Sequence, residues 1–295
     1  MIMTDKYKHS SMARKPKPKK QKRLSSNSKA ETLRKFKGNQ KSPGSGANLS
    51  GDWIYGIHPV MAALANSKRT CLRIVISYTA STELEENIKI VCKKNKELPN
   101  IEKMNREQIG SLLSPGAVHQ GLALLANPLK IVSIEDIIKE TEGKENASVI
   151  ILDQATDPKN VGAVMRSAAA FGASAVVLQD RHAPPLSGAL SKAASGAVEW
   201  VTLIRVVNLA RAISNLKHAG FWAAGLDSGA DRTLAQADLS GRILLVLGAE
   251  GSGLRRLTRD TCDELLKVTV NEKSDSLNLS NAATVALYEL NRQHY

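Results

Sequence analysis

The chain has 295 residues, 42% of them apolar and 4% aromatic, and a formal net charge of +13. That length fits about two globular domains with proper cores, and its longest apolar runs, such as Ile243–Leu247, fall far short of the ~20 residues of a membrane helix. Cys71, Cys92 and Cys262 are odd in number, widely spaced and form no C-x-x-C pair, so neither a disulfide framework nor a metal site is expected, and the reducing cytoplasm is the expected compartment.

Charge is concentrated at the start. Residues 1–47 hold fourteen Lys and Arg against Asp5 and Glu31, a net +12 of the chain's +13. The segment lacks the apolar core of a secretory signal. Rich in Lys, Ser and Gly, it cannot bury enough surface to offset its ordering entropy, so 1–49 is expected to be a disordered tail. A dense cationic arm releases counterions from a nucleic-acid backbone, which points to a nucleic-acid partner. A solubilising tail or a weak membrane-surface contact is the alternative, although the segment shows no amphipathic periodicity.

Residues 50–127 read as a small α/β domain. Gly56 to Leu64 (GIHPVMAAL) is a turn feeding a short helix, Leu72–Ile76 a strand, Glu83–Lys96 an amphipathic helix and Val118–Leu125 a returning strand. His58 and His119 each stand alone in a turn, which favours a structural role. Residues 128–147 read as a linker with a short helix.

From 148 to 295 the alternation is regular. Strands are predicted at 148–153, 174–178, 200–204, 221–225, 242–247 and 266–270, with helices at about 160–171, 187–196, 207–219, 254–265 and 280–293. Short apolar strands alternating with helices imply a mainly parallel sheet covered on both faces, with ligands beyond the carboxyl ends of the strands.

Three loops carry the chemistry. In the first, Asp157-Pro158 starts a helix, placing Asn160 in its mouth and Arg166 further along. Gly162 and Ala163, one turn before Arg166, are expected to clear a space beside its guanidinium for a sugar or a phosphate; close helix packing is the alternative reading of the small residues. The second, Leu247-Gly248-Ala249-Glu250-Gly251-Ser252-Gly253, follows a buried strand. It lacks the Lys-Ser or Lys-Thr of a phosphate-binding loop, fails the G-x-G-x-x-G fingerprint, and carries a carboxylate that would repel a pyrophosphate. Glu250 suits a cationic or hydroxylated ligand. In the third, Ser276 and Asn278 offer polar groups on one side while Leu277 and Leu279 point to the other. Plain helix capping by Ser280 or Asn281 is the alternative there.

Together these loops resemble the three motifs of the SpoU (TrmH-like) branch of the SPOUT superfamily of RNA ribose 2'-O-methyltransferases. D-P-x-N-x-G-x-x-x-R matches Asp157 to Arg166, L-G-x-E-G-x-G matches Leu247 to Gly253, and S-L-N-x-S matches Ser276 to Ser280. G-I-H-P-V at 56–60 and H-Q-G at 119–121 resemble the family's L30e-like substrate-binding domain. The likeness is greatest to the bacterial branch that methylates a guanosine in 23S rRNA.

The resemblance implies a C-terminal parallel sheet with a deep trefoil knot, S-adenosylmethionine as cofactor, no metal, and a homodimer. Leu247, Gly248, Gly253, Val268, Leu277 and Leu279 would line the cofactor. Arg166 would orient the ribose and a phosphate, with Asn160, Glu250, Ser276 and Asn278 holding Arg166 and the substrate. A tRNA substrate, or an RNA-binding protein without activity, remain alternatives. A nucleotide-dependent dehydrogenase or NTPase is disfavoured by the failed glycine fingerprints.

Overall fold

The computed structural model describes residues 51–94, 99–181, 183–185, 188–271, 273 and 277–294. The basic tail and Ser276 lie outside the described residues.

The first sheet is built by β1 (Asp52–Tyr55), β2 (Cys71–Ser77), β3 (Asn100–Met104) and β4 (Leu122–Ala126) in the order β1-β4-β2-β3, with β4 antiparallel to both neighbours and β3 parallel to β2. Side chains alternate across a strand. In β2, Ile74 and Ile76 therefore face α1 (Ile57–Ala65) and α2 (Thr82–Lys94), while Val75 faces α3 (Arg106–Ser111). β4 repeats the pattern, with Leu122 and Leu124 on the first side and Ala123 on the second. Local signals set the helix starts: the Ser81 hydroxyl accepts from the Leu84 amide, and Asn105 and Gln108 form a capping box.

Helix α4 (Ile134–Thr141), capped by Ser133, leads into the second sheet. Its strands are β5 (Ala147–Leu152), β6 (Ala175–Gln179), β7 (Thr202–Val206), β8 (Trp222–Leu226), β9 (Arg232–Thr233), β10 (Arg242–Leu247) and β11 (Glu264–Lys267). They are paired throughout in parallel, in the order β7-β6-β5-β10-β8-β11-β9. The chain thus starts at β5, builds outward to β7, crosses to β8, and returns to place β10 between β5 and β8. Both faces are covered, as continuous apolar strands require. Ile150, Leu152, Leu245 and Leu247 pack under α5 (Pro158–Ala170), α6 (Gly188–Ala193) and α9 (Leu279–His294). Val149, Ile151, Leu244 and Val246 pack under α4 and α7 (Leu209–His218).

The last strand departs from the sequence expectation of 266–270. It runs Glu264–Lys267, because pairing with β8 and β9 ends there and Val268 has already entered the following loop. The helix expected at 254–265 is correspondingly short, α8 (Arg256–Thr261).

The two sheets meet along α6 and the turn after it. Gly188 lies against the Trp53 carbonyl and the Tyr55 ring, and Gly196 against Ala62, so that a Cβ on either would fall 2.5 Å from its neighbour. Glu199 accepts from the Asn66 amide at 2.9 Å and faces the Arg69 guanidinium at 3.1 Å, with both charged side chains almost fully buried. Burial pushes the Glu199 carboxyl above its usual range, against the pull of Arg69 and Asn66. The sequence offered no sign of this junction.

Candidate functional site

The site lies beyond the carboxyl ends of β5, β10 and β8, where loops from distant parts of the chain converge. Asp157 caps α5 by accepting from the Lys159 amide at 2.9 Å, and Pro158 occupies the first turn, where its missing N–H costs nothing. Asn160 is therefore held at the helix mouth. Its side-chain amide donates to Glu250 Oε1 at 2.8 Å, and its oxygen accepts from the Asn278 amide at 3.2 Å. The same Glu250 oxygen accepts the Leu279 backbone N–H at 3.2 Å. One carboxylate oxygen and one asparagine thus tie together the three loops that the motifs singled out.

Asn278 has a second task. Its side-chain oxygen accepts from the Ser280 hydroxyl at 2.8 Å and the Asn281 amide at 3.0 Å, capping α9. The cap is therefore Asn278, not Ser280 or Asn281. An asparagine suits both tasks because its oxygen caps while its N–H₂ remains free to reach Asn160.

The glycines of the second loop answer to the loop itself. A Cβ on Gly248 would lie 2.1 Å from the Gly253 carbonyl carbon, and the Gly253 amide donates to the Ala249 carbonyl at 3.0 Å. Gly251 and Gly253 have φ of 80° and 65°, a region that side chains other than glycine's rarely tolerate. The chain doubles back on itself here, and its outer backbone edges a cavity.

That cavity has a volume of about 500 Å³. All six positions expected at the cofactor, Leu247, Gly248, Gly253, Val268, Leu277 and Leu279, stand in its wall, as does Glu250. Leu226, Asp227 and Ser228 from the end of β8 also line it, as does Ala282 of α9. Sequence reasoning missed these. The rule that ligands sit beyond strand carboxyl ends would have reached Asp227, which follows the strand predicted at 221–225, but no motif marks that loop. The Asp227 carboxylate accepts from the Gly229 amide at 2.8 Å and pairs with Arg259 at 3.2 Å.

Arg166 is placed differently. It is exposed on α5, outside the cavity wall, and no hydrogen bond or ion pair holds it among the described residues. The space that Gly162 was expected to clear for it is filled: a Cβ on Gly162 would fall 2.5 Å from the Ala193 Cβ, so this glycine lets α6 approach α5. The packing explanation holds for Gly162. Beyond Arg166, the Ser167 and Thr284 hydroxyls lie 2.6 Å apart and join α5 to α9.

His119 fits its structural assignment, with Nδ1 accepting from the Gly121 amide at 3.2 Å. Burial, and then the nearby Arg106, hold its pKa below the usual value. Among the described residues no cluster of three or more His, Cys, Asp or Glu could hold a metal ion, and no helix is long and apolar enough to cross a membrane.

Comparison with known proteins sets these features in a family. Residues 147–288 match the profile of the SpoU rRNA methylase family, and residues 53–132 match that of the RNA 2'-O ribose methyltransferase substrate-binding domain. The 23S rRNA (guanosine-2'-O-)-methyltransferase RlmB of Photobacterium profundum is 37% identical over 246 residues, covering 83% of this chain and 99% of that protein. The Escherichia coli protein of the same name is 36% identical over 242 residues, covering 82% and 98%. Among solved structures, the SpoU methyltransferase AviRb from Streptomyces viridochromogenes, in complex with AdoMet, shares the fold with a TM-score of 0.66 at 22% identity, covering 82% of this chain and 89% of that one. An AdoMet-bound rRNA methyltransferase from Sinorhizobium meliloti gives a TM-score of 0.67 at 21% identity, covering 82% and 87%. With both profiles matched in chain order and relatives aligned over almost their whole length, this chain belongs to the SpoU rRNA methylase family.

Proposed function

We propose that this chain transfers the methyl group of S-adenosylmethionine to the ribose 2'-hydroxyl of a guanosine in 23S rRNA. The observation that carries this reading is the joining of Asn160, Glu250 and Asn278 at the rim of the cavity, in a chain that aligns over 83% of its length with a guanosine-2'-O-methyltransferase.

The cavity fits the cofactor. Its ~500 Å³ lies within the range of small-molecule sites. Leu247, Val268, Leu277 and Leu279 supply apolar walls for an adenine, while Asp227 and Glu250 supply carboxylates suited to hydroxyls and an ammonium and unsuited to a pyrophosphate. When bound, the cofactor supplies a sulfonium methyl that is already a strong electrophile. The protein's work is then to place the ribose hydroxyl in line with it and to let its proton leave. Arg166 orients the ribose and an adjacent phosphate. A guanidinium with a pKa above ~12 is a poor base, so the proton leaves to a phosphate oxygen of the RNA or to water. Asn160, Glu250 and Asn278 hold the rim against which the ribose is set.

Three further parts belong to the proposal. The C-terminal chain is knotted, a rare exception to unknotted topology; insertion of β10 between β5 and β8, and the Leu279 amide bonded back to Glu250, support this. The chain works as a homodimer in the cytoplasm. Support for the dimer is the exposure of Arg166 outside this chain's own cavity wall and of Val285 and Tyr288 on α9. Finally, residues 50–127 form an L30e-like substrate domain, 128–147 a linker and 148–295 the methyltransferase domain, with the tail 1–49 as an RNA tether.

The test is methyl transfer by the purified full chain, using labelled S-adenosylmethionine with 23S rRNA and with tRNA. Label at a guanosine 2'-oxygen of 23S rRNA is expected. Label in tRNA alone, or none in any RNA, overturns the assignment in favour of a tRNA enzyme or a protein that only binds RNA.

A further inference from the structure

We propose that Asp153 and Arg255 are a buried positioning pair that sets cofactor affinity by closing the base of the loop 248–253. The inference rests on the reading of that loop as a wall of the S-adenosylmethionine site.

Asp153 directly follows β5 and is fully buried. Its backbone amide donates to the Leu247 carbonyl at 2.8 Å, so it stands beside the residue from which the loop departs. Its carboxylate receives the residue to which the loop returns. Oδ1 lies 2.7 Å from Arg255 Nε and 2.6 Å from Nη2, and Oδ2 accepts the Arg255 backbone amide at 3.1 Å. The three donors to this buried carboxylate come from one residue, just beyond Gly253.

A carboxylate out of water is costly unless neutralised and hydrogen-bonded. Here Arg255 does both, through side chain and backbone together, so the carboxylate is satisfied only when the returning strand of the loop is in place. The network of Glu250, Asn160 and Leu279 holds the loop at its tip, where Glu250 is exposed. Asp153 holds it at its root. A loop fixed before the ligand arrives loses less conformational freedom on binding, and preorganisation of this kind appears directly as affinity.

The geometry distinguishes two conservative changes. Asp153→Asn leaves one oxygen to serve two donor directions and turns an N–H₂ toward the other donor. Arg255→Lys keeps the charge but replaces the two-nitrogen fork with a single ammonium. The Arg255 side chain is 38% exposed, so water can solvate the guanidinium released in Asp153→Asn, while Arg255→Lys keeps a cation and the backbone N–H donor for the buried carboxylate, and both variants are expected to fold.

S-adenosylmethionine binding to the full-length protein is measured by titration calorimetry, beside thermal unfolding and steady-state methylation. Each variant is expected to weaken cofactor binding about tenfold and to raise the cofactor KM similarly, with kcat at saturating cofactor within about twofold of wild type. The double variant should be no weaker than either single, because the two changes break one interaction. Ile213→Ala, on the buried face of α7, is the control for general destabilisation. Affinity within twofold of wild type in folded Asp153→Asn and Arg255→Lys overturns the inference. So does an equal loss in Ile213→Ala at the same loss of thermal stability, as does a loss in kcat alone. Wild-type protein that binds no S-adenosylmethionine would overturn the underlying reading as well, which separates the two failures.

Discussion

Glu250→Ala tests the join between the three loops. Glu250 Oε1 accepts two hydrogen bonds, from the Asn160 amide at 2.8 Å and the Leu279 N–H at 3.2 Å. Hydrogen bonds to a charged group contribute about 1.5–3 kcal/mol each when shielded. The Glu250 side chain is exposed, so solvent competition reduces this to about 1 kcal/mol apiece. Removing both should cost about 2 kcal/mol of site organisation, or about 30-fold in kcat/KM. Glu250→Gln keeps an acceptor oxygen in place but gives up the charge assistance, worth about half, so about fivefold is expected. The assay is methyl transfer to a 23S rRNA fragment at limiting RNA and cofactor, with unfolding curves to confirm that both variants are folded. A Glu250→Ala enzyme within threefold of wild type would refute the account of the rim, as would a glutamine variant no better than the alanine one.

Other outcomes follow from the same geometry. Gly248→Ala places a methyl 2.1 Å from the Gly253 carbonyl carbon, so the loop cannot close, and equilibrium dialysis should show cofactor affinity lowered by at least an order of magnitude. Arg69→Ala and Glu199→Ala each strand a buried charge at the junction of the two sheets and should each lose about 3 kcal/mol in urea unfolding, whereas Arg69→Met with Glu199→Leu should come close to wild type. Burial pushes the Cys71 thiol up to about 11 and the Cys262 thiol up to about 12. Because both folded values lie above the unfolded value, their contribution to stability is complete below pH ~9 and declines as pH rises toward 11–12; alkylation at pH 8.5 should be slow until urea is added.

Most of the second sheet was legible because its strands are apolar on both sides. β10 lies at residues 242–247 as predicted, since Ile243 to Leu247 are buried under helices on alternate faces. Edge elements were not legible. Asn100–Met104 is an edge strand whose Asn, Glu and Lys mask any apolar alternation, and among the described residues it pairs with the parallel β2 alone. β11 was displaced toward residue 270 because Val268 and Val270 read as strand, although they line the cavity instead. At the candidate site, the motifs marked Asn160, Glu250 and Asn278, which the fold joins by hydrogen bonds. What depended on which parts of the chain meet was not visible: Gly162 against Ala193, Asp153 against Arg255, and Glu199 against Arg69.

By the proposed function, this chain methylates a guanosine ribose of 23S rRNA. The most direct test is nucleotide-resolution mapping of 2'-O-methylation across all rRNA and tRNA, in cells lacking the protein and in the same cells supplied with wild type or with Arg166→Ala. One guanosine of 23S rRNA should lose its 2'-O-methyl group in the deletion, regain it with wild type, and stay unmodified with Arg166→Ala. Unchanged 23S rRNA with a methyl group missing from a tRNA, or full restoration by Arg166→Ala, would contradict it.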